Sequence, residues 1–360
     1  MATTKEYGLG EFTFPRGWFM IADAQELTDR PIPLRFFGTE LVLFRGRATG
    51  KPVLLNAYCA HMGTHLGRNT TSFVIRNGTH IEGDAIRCPY HGWRYRADGQ
   101  CDDIPGLSGP IPRAACVRSW TVHESLGVIW IWHDPEGLEP EWPAPEQAEW
   151  SDPSWVHWKI DHIGTLPIHG QEVVDNIADR AHFGPIHGMD RIDLYENEFE
   201  GHKVSQRMAG THHTLTAAAD TLRIDATYHG PGYLLAYMTG AYPTVLFIAN
   251  TPVDDGVTRV WHGLLVKFPH EATQAEDVAA ARAFQEASRV AFAQDFEVWT
   301  HKAPALTVLQ VGCDGPFHLE RLWYRQFFNP RARAGEFRRR VNGLHRLTSP
   351  AGTNGPLNVS

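Results

Sequence analysis

Four side chains stand in two tight pairs in this 360-residue chain: Cys59 and His61 within YCAHMGTHLG, and Cys88 and His91 within CPYHGWRY. A C-x-H and a C-x-x-H on two glycine-containing loops supply two thiolates and two imidazoles. That donor set suits a tetrahedral zinc ion, or a [2Fe–2S] centre with both cysteines on one iron and both histidines on the other. The bland alternative, unconnected core cysteines and surface histidines, needs two matched short-range pairs to arise by chance.

A second constellation lies in VVDNIADRAHFGPIHG, where Asp179, His182 and His187 form D-x-x-H-x-x-x-x-H. Val173, Ile177 and Ala181 recur every four residues, which predicts a helix up to about Phe183. The opposite face carries Glu172, Asp175, Asn176, Asp179 and His182, with Arg180 as the nearby cation. A charged stripe of that kind ordinarily faces solvent. Pro185 disfavours helix at Gly184, so a kink or end is expected there. On an unbroken helix the five-residue step sets the two imidazoles about 140° apart, whereas a break after His182 lets them converge on one ion. Spacing alone leaves both readings open.

The segments CAHMGTHLG and CPYHGWRY resemble the cluster-binding loops of Rieske iron–sulfur domains. The resemblance implies that Cys59 and Cys88 hold one iron and His61 and His91 the other, which raises the potential above that of an all-cysteine cluster. TTSFVIRNGTHIEG makes the gap between the loops longer than is usual in that family, and a lengthened hairpin away from the cluster is expected.

The D-x-x-H-x-x-x-x-H pattern, in turn, resembles the catalytic domains of Rieske non-haem iron oxygenases, whose 2-His-1-carboxylate site needs one more ligand. The segment EDVAAARAFQEASRVAFAQDFEVWTHK offers it. On a helix Asp295 falls within about 60° of Phe284, Ala291, Phe292 and Trp299, with Ser288 the other polar residue in that stripe. An unpaired buried carboxylate costs several kcal/mol, so Asp295 must be protonated, paired with an arginine, or metal-bound. Together with the two histidines and the Rieske loops, metal ligation is favoured: His182, His187 and Asp295 as a facial triad for mononuclear Fe(II), with positions open for O2.

The resemblance implies a role for Asp179 as the electron bridge from His91 of an adjacent subunit, the electron exit, to His182, and hence a ring-like homotrimer. It covers about Gly17 to Phe328. VVDNIADRAHF, NEFEGHKVSQ, FAQDFEVWTHK and DGPFHLERLWYRQF look most like the 3-ketosteroid 9α-hydroxylase oxygenase branch. The implied activity is hydroxylation of a hydrophobic polycyclic substrate, a 3-ketosteroid foremost. Electrons from NADH would arrive through a separate ferredoxin-type reductase, since the chain has no G-x-G-x-x-G unit of its own. Another aromatic or sterol-like substrate, with dioxygenation, desaturation or demethylation, is the runner-up. A Rieske electron carrier is the competitor from another class.

The elements that must position these residues divide the chain. Residues 14–135 are β-rich, with PLRFFGTELVLFRG, KPVLLNAYC and the buried strand of SLGVIWIWHDPEG. Asp134 to Trp155 holds five prolines, which marks 136–155 as a linker. Residues 156–346 open with the helix above, continue through the strands YPTVLFIANTPV and TRVWHGLLVKF, and reach a long helix from near Thr273, where Thr273 and Glu276 form a capping-box signature. HLERLWYRQFF reads as a strand, and 347–360 as a disordered tail. The class is α+β: an N-terminal all-β Rieske domain and, as the resemblance implies, a C-terminal helix-grip (START-like) domain with an antiparallel sheet and a long helix. Tyr233, Tyr237, Tyr242, Phe247 and Trp261 lie on its strands and are candidates to line an apolar pocket, with ordinary core packing the competing reading. RARAGEFRRRVNGLHR reads as solvated surface, His212 and His213 as solvated positions, and Cys101, Cys116 and Cys313 as structural thiols.

Composition narrows the partners. The 41 acidic and 33 basic residues give a net charge of −8, with no long basic run in the body of the chain, which argues against nucleic-acid binding. No stretch approaches 18 apolar residues, so no membrane span is expected. Five cysteines are too few and too unpaired for a disulfide framework, which fits a reducing, cytoplasmic setting.

Overall fold

A computed structural model describes residues 1–212, 221–240 and 242–347; all but the first residue of the tail expected at 347–360, and His213, lie outside the described residues. The N-terminal block consists of three small antiparallel sheets. Gly17–Asp23, Val128–His133 and Val122–Ser125 form one; Ile32–Phe36, Thr39–Arg45, Pro52–Asn56 and Ser119–Trp120 form the second; Ile81–Glu82, Ala85–Arg87, Arg94–Tyr95 and Cys101–Asp103 form the third. Val128–His133 is buried at every position, as its unbroken apolar run predicts. The long gap between the two cysteine loops holds a single helical turn, Phe73–Arg76, followed by the tight Ile81–Arg87 hairpin.

The second block is a nine-stranded antiparallel sheet. Its spatial order is Trp155–Val156, Val257–Lys267, Thr244–Asp254, Tyr233–Met238, Leu222–His229, Lys203–His212, Met189–Glu200 and Gly343–Arg346, with Asp161–Leu166 also paired to Val257–Lys267. Two of these strands, Trp155–Val156 and Asp161–Leu166, precede the first helix, so the block does not open with that helix as expected. The long helix spans Ala275–His301, and its buried residues Ala281, Gln285, Phe292, Asp295 and Trp299 form one stripe. Its capping box is formed by Gln274 and Asp277, one residue on from the expected pair.

HLERLWYRQFF is a helix rather than a strand: Phe317–Arg325 is α-helical and Gln326–Phe328 continues as a 3₁₀ turn. Phe317, Glu320, Trp323 and Tyr324 face inward. The stripe has helical spacing, but a buried acid, Glu320, interrupts its apolar pattern and disguises it.

One hydrophobic core runs through both blocks. Trp130 packs on Tyr233 at 4.9 Å between ring centroids and on Phe247 at 5.8 Å. The proline-rich linker is held down as well: Trp142 is buried, and Asp134 and Glu141 pair with Arg331 and Arg338. The basic C-terminal segment is therefore tied to the acidic linker, where solvated surface was expected.

Candidate functional site

The two cysteine loops are built alike. In each, the glycine four residues after the cysteine has a positive φ, +69° at Gly63 and +76° at Gly92, and its N–H donates back to the cysteine carbonyl. Each cysteine N–H in turn donates to the carbonyl five residues on, Thr64 or Trp93. A side chain at either glycine would oppose that left-handed turn. Both sulfurs are buried, and both imidazoles are exposed. The rings of His61 and His91 lie 4.6 Å apart, with His61 stacked on Trp93.

Tyr95 Oη stands 3.0 Å from Cys59 Sγ and accepts from the Ala60 N–H. The contact with Cys88 pulls the Cys59 thiol down to about 5 and pushes the Cys88 thiol up. Two buried sulfurs side by side, with two exposed imidazoles beyond them, fit a [2Fe–2S] centre ligated by Cys59, Cys88, His61 and His91. Of the other cysteines, Cys101 lies in the core beside these loops, whereas Cys116 and Cys313 are exposed and bury nothing.

The helix at VVDNIADRAHF is shorter than its periodicity predicts. It runs from Gly170 to Val174, tightens to 3₁₀ over Asp175–Ala178, and leaves helical geometry at Asp179 (φ −88°, ψ 95°). The break precedes His182, contrary to the kink expected at Pro185. Pro185 instead sits in a turn in which Ile186 N–H donates to His182 O and Gly188 N–H to Gly184 O. That turn brings the imidazoles of His182 and His187 to 5.1 Å between centroids.

The first two acids of this polar face, Glu172 and Asp175, are not solvated. Glu172 is 3% exposed and meets Tyr7, Lys302 and the Ala305 N–H. Burial pushes its carboxyl up, but Lys302 and Tyr7 outweigh that and hold it below the usual range. Asp175 is buried too and receives Arg321 and the Gln171 amide. These pairings satisfy acids that the sequence alone presented as a stripe.

From the long helix, Asp295 Oδ2 comes to 3.2 Å from His187 Nε2, and ligand atoms of His182, His187 and Asp295 all lie within 4.8 Å of one another. Both ring nitrogens of His182 are buried without a hydrogen bond. A buried imidazole left unpaired beside a second imidazole and a carboxylate fits a divalent metal with two nitrogen donors and one oxygen donor. Asp179 Oδ2 is 3.6 Å from His182 Nδ1, and Oδ1 accepts from the N–H groups of Ala181 and His182. Burial pushes the Asp179 carboxyl up, yet the His182 contact and these N–H groups keep it below the usual carboxylate range. A third of its side chain remains exposed.

The three residues line a cavity of about 400 Å³ whose other walls are mostly apolar, including Leu234, Met238, Leu246 and Leu264. Of the five aromatics expected there, Tyr242 alone lines it. Tyr233, Tyr237, Phe247 and Trp261 sit on the sheet's other face. The register pairs Ala236 with Leu246 and Leu246 with Leu264, and side chains alternate faces, so these even-numbered positions look into the cavity, whereas Tyr233, Phe247 and Trp261 turn into the shared core and Tyr237 is exposed. His212, expected in solvent, is buried in the cavity wall with Nε2 against the His187 carbonyl. Sequence reasoning also missed His262, which joins Asp161 to the cavity-lining Ser288.

Residues 17–121 match the model for the Rieske [2Fe-2S] domain, and 131–328 match the 3-ketosteroid 9alpha-hydroxylase C-terminal domain. The chain is 33% identical over 344 residues to a probable 3-ketosteroid-9-alpha-monooxygenase oxygenase component of Rhodococcus rhodochrous, covering 90% of this chain and 82% of the relative. It is 32% identical over 330 residues to the 3-ketosteroid-9-alpha-monooxygenase oxygenase component of Mycolicibacterium smegmatis, covering 88% and 82%. Among solved structures, Pseudomonas putida CBB5 NdmA with caffeine superposes with a TM-score of 0.68 at 21% identity, over 97% of this chain and 99% of that one. Among the described residues no helix is long and apolar enough to cross a membrane.

Proposed function

From a chain that belongs to the 3-ketosteroid 9α-hydroxylase family of Rieske oxygenase components, we propose an enzyme that inserts one oxygen atom of O2 into a C–H bond of a 3-ketosteroid. It is an oxidoreductase of the Rieske monooxygenase class. The observation that carries the substrate reading is the convergence of His182, His187 and Asp295 in the wall of a mostly apolar cavity of about 400 Å³. An unactivated C–H bond calls for a dry, shaped enclosure more than for acids and bases. A Rieske electron carrier has no use for such a cavity.

When bound, the cluster supplies electrons and the mononuclear iron supplies the dioxygen chemistry. In this reading Cys59, Cys88, His61 and His91 hold the cluster, and His182, His187 and Asp295 hold the iron. Asp179 Oδ2 faces Nδ1 of His182 at 3.6 Å and would orient that ring, which leaves Nε2 for the metal. Its exposed edge is free to meet His91 of a second copy, as a head-to-tail homotrimer requires. The apolar strands keep water from the substrate. The proposal includes NADH-derived electrons from a separate ferredoxin-type reductase, a cytoplasmic setting, and a division into a Rieske unit at 14–135 and a catalytic unit at 156–346 joined by 136–155.

The test is incubation of the full chain with a steroid panel, a compatible reductase and ¹⁸O₂, followed by mass spectrometry. A hydroxylated steroid carrying one labelled oxygen is expected. A desaturated or dealkylated product, or turnover only of non-steroidal aromatics, would contradict the reading.

A further inference from the structure

Among the described residues, Asp161, His262 and Ser288 form a hydrogen-bonded line that ends in the cavity wall. Asp161 Oδ2 is 2.9 Å from His262 Nδ1, and His262 Nε2 is 2.9 Å from Ser288 Oγ. The imidazole is fully buried, lies against Phe292 with the rings nearly parallel, and comes from the strand that pairs Asp161 directly opposite His262. Ser288 and Asp295 both line the cavity. Seven residues apart on one helix, they share a face and are separated by about 10.5 Å of helix rise. A fused four-ring ligand spans that distance.

Hydrolases use these three residue types as nucleophile, base and orienter. Here Ser288 sits in the middle of the Ala275–His301 helix, where the backbone N–H groups are spent on helical hydrogen bonds and no pair of donors awaits an oxyanion. The line therefore has another use. A carboxylate only accepts, so in its neutral form His262 places its proton on Nδ1 toward Asp161 and leaves Nε2 as an acceptor. Ser288 must then donate its hydroxyl proton to Nε2. Its oxygen faces the cavity with lone pairs and no proton to offer.

We propose that Asp161, His262 and Ser288 together form a recognition site for a substrate hydroxyl, with Ser288 Oγ as the acceptor and the other two as positioning residues. This rests on the steroid reading above and sharpens it. A ketone oxygen also only accepts and cannot pair with Ser288, so the 3-ketone lies elsewhere. The group at Ser288 is a hydroxyl on the five-membered ring at the opposite end of the molecule.

The experiment measures calorimetric binding of three 3-ketosteroids to the metal-loaded full chain. They differ only in carrying a hydroxyl, a ketone or hydrogen on the five-membered ring. The wild type should bind the hydroxyl compound about tenfold tighter than the other two, the worth of one buried hydrogen bond. Ser288→Ala should level the three, and Ser288→Thr should keep the ranking. His262→Phe releases the serine proton and should invert the preference toward the ketone, which loss of packing alone would not do. Equal binding of all three by the wild type, or an unchanged ranking in Ser288→Ala, overturns this inference and leaves the steroid reading standing. Binding of none of them overturns both.

Discussion

His187 Nε2 stands 3.2 Å from Asp295 Oδ2, joining a turn after a broken helix to the C-terminal third of the long helix, more than a hundred residues later in the chain. The contact depends on two local facts. The first helix stops at Asp179, which frees the His182–His187 turn, and the acid on the long helix lies on its buried stripe.

Asp179 touches His182 without needing to bind metal itself. Asp179→Asn preserves shape but removes the charge and one acceptor, so both metals should be retained while kcat falls by at least about 100-fold, the upper end for loss of a ligand-orienting partner. Iron content and steady-state turnover, measured on one preparation, check this. Normal turnover would show that the carboxylate is not needed.

Glu172 is buried and depends on Lys302. Lys302→Met should cost about 2 kcal/mol in urea unfolding, because removing one partner strands a buried charge. A pair buried at both ends would cost about 3–5 kcal/mol, but Lys302 is itself partly exposed and solvent screens it. Adding Glu172→Gln should recover most of the loss. If the double variant is no more stable than the single one, the charge is not the cause.

Acid should destabilise the fold through its buried histidines. Burial holds His133, His169, His202 and His229 down to about 4. A histidine with a depressed folded-state value favours the neutral form, so its contribution is present above the unfolded value of about 6.5 and is lost as pH falls toward 4. For the fully buried His133 the loss is on the order of 3 kcal/mol. Tm measured from pH 7 to pH 4 should fall, and less steeply in His133→Phe. Parallel curves would remove His133 from the account.

The parts of the site legible in the sequence were those whose spacing is local. The Rieske loops repeat one turn twice, and Asp295 stands out because its neighbours on the helix are apolar. Where the first helix ends was not legible, because Glu172 and Asp175 looked solvated until Lys302 and Arg321 arrived from distant segments. The Phe317–Arg325 helix was hidden by Glu320, a buried acid at a core position. The cavity lining was misassigned by strand parity, since Tyr233–Met238, Thr244–Asp254 and Val257–Lys267 carry apolar residues on both faces and alternation cannot say which one meets the long helix. The Asp161–His262–Ser288 line joins two neighbouring strands at one end of the sheet and a helix, and no spacing rule connects them.

In the proposed enzyme His182, His187 and Asp295 hold an iron separate from the cluster. Iron per chain, read beside the visible spectrum of the cluster in the wild type and in Asp295→Ala, tests it most directly. About three irons are expected in the wild type and about two in the variant, with an unchanged spectrum. Two irons in the freshly reconstituted wild type, or three in the variant, would contradict it.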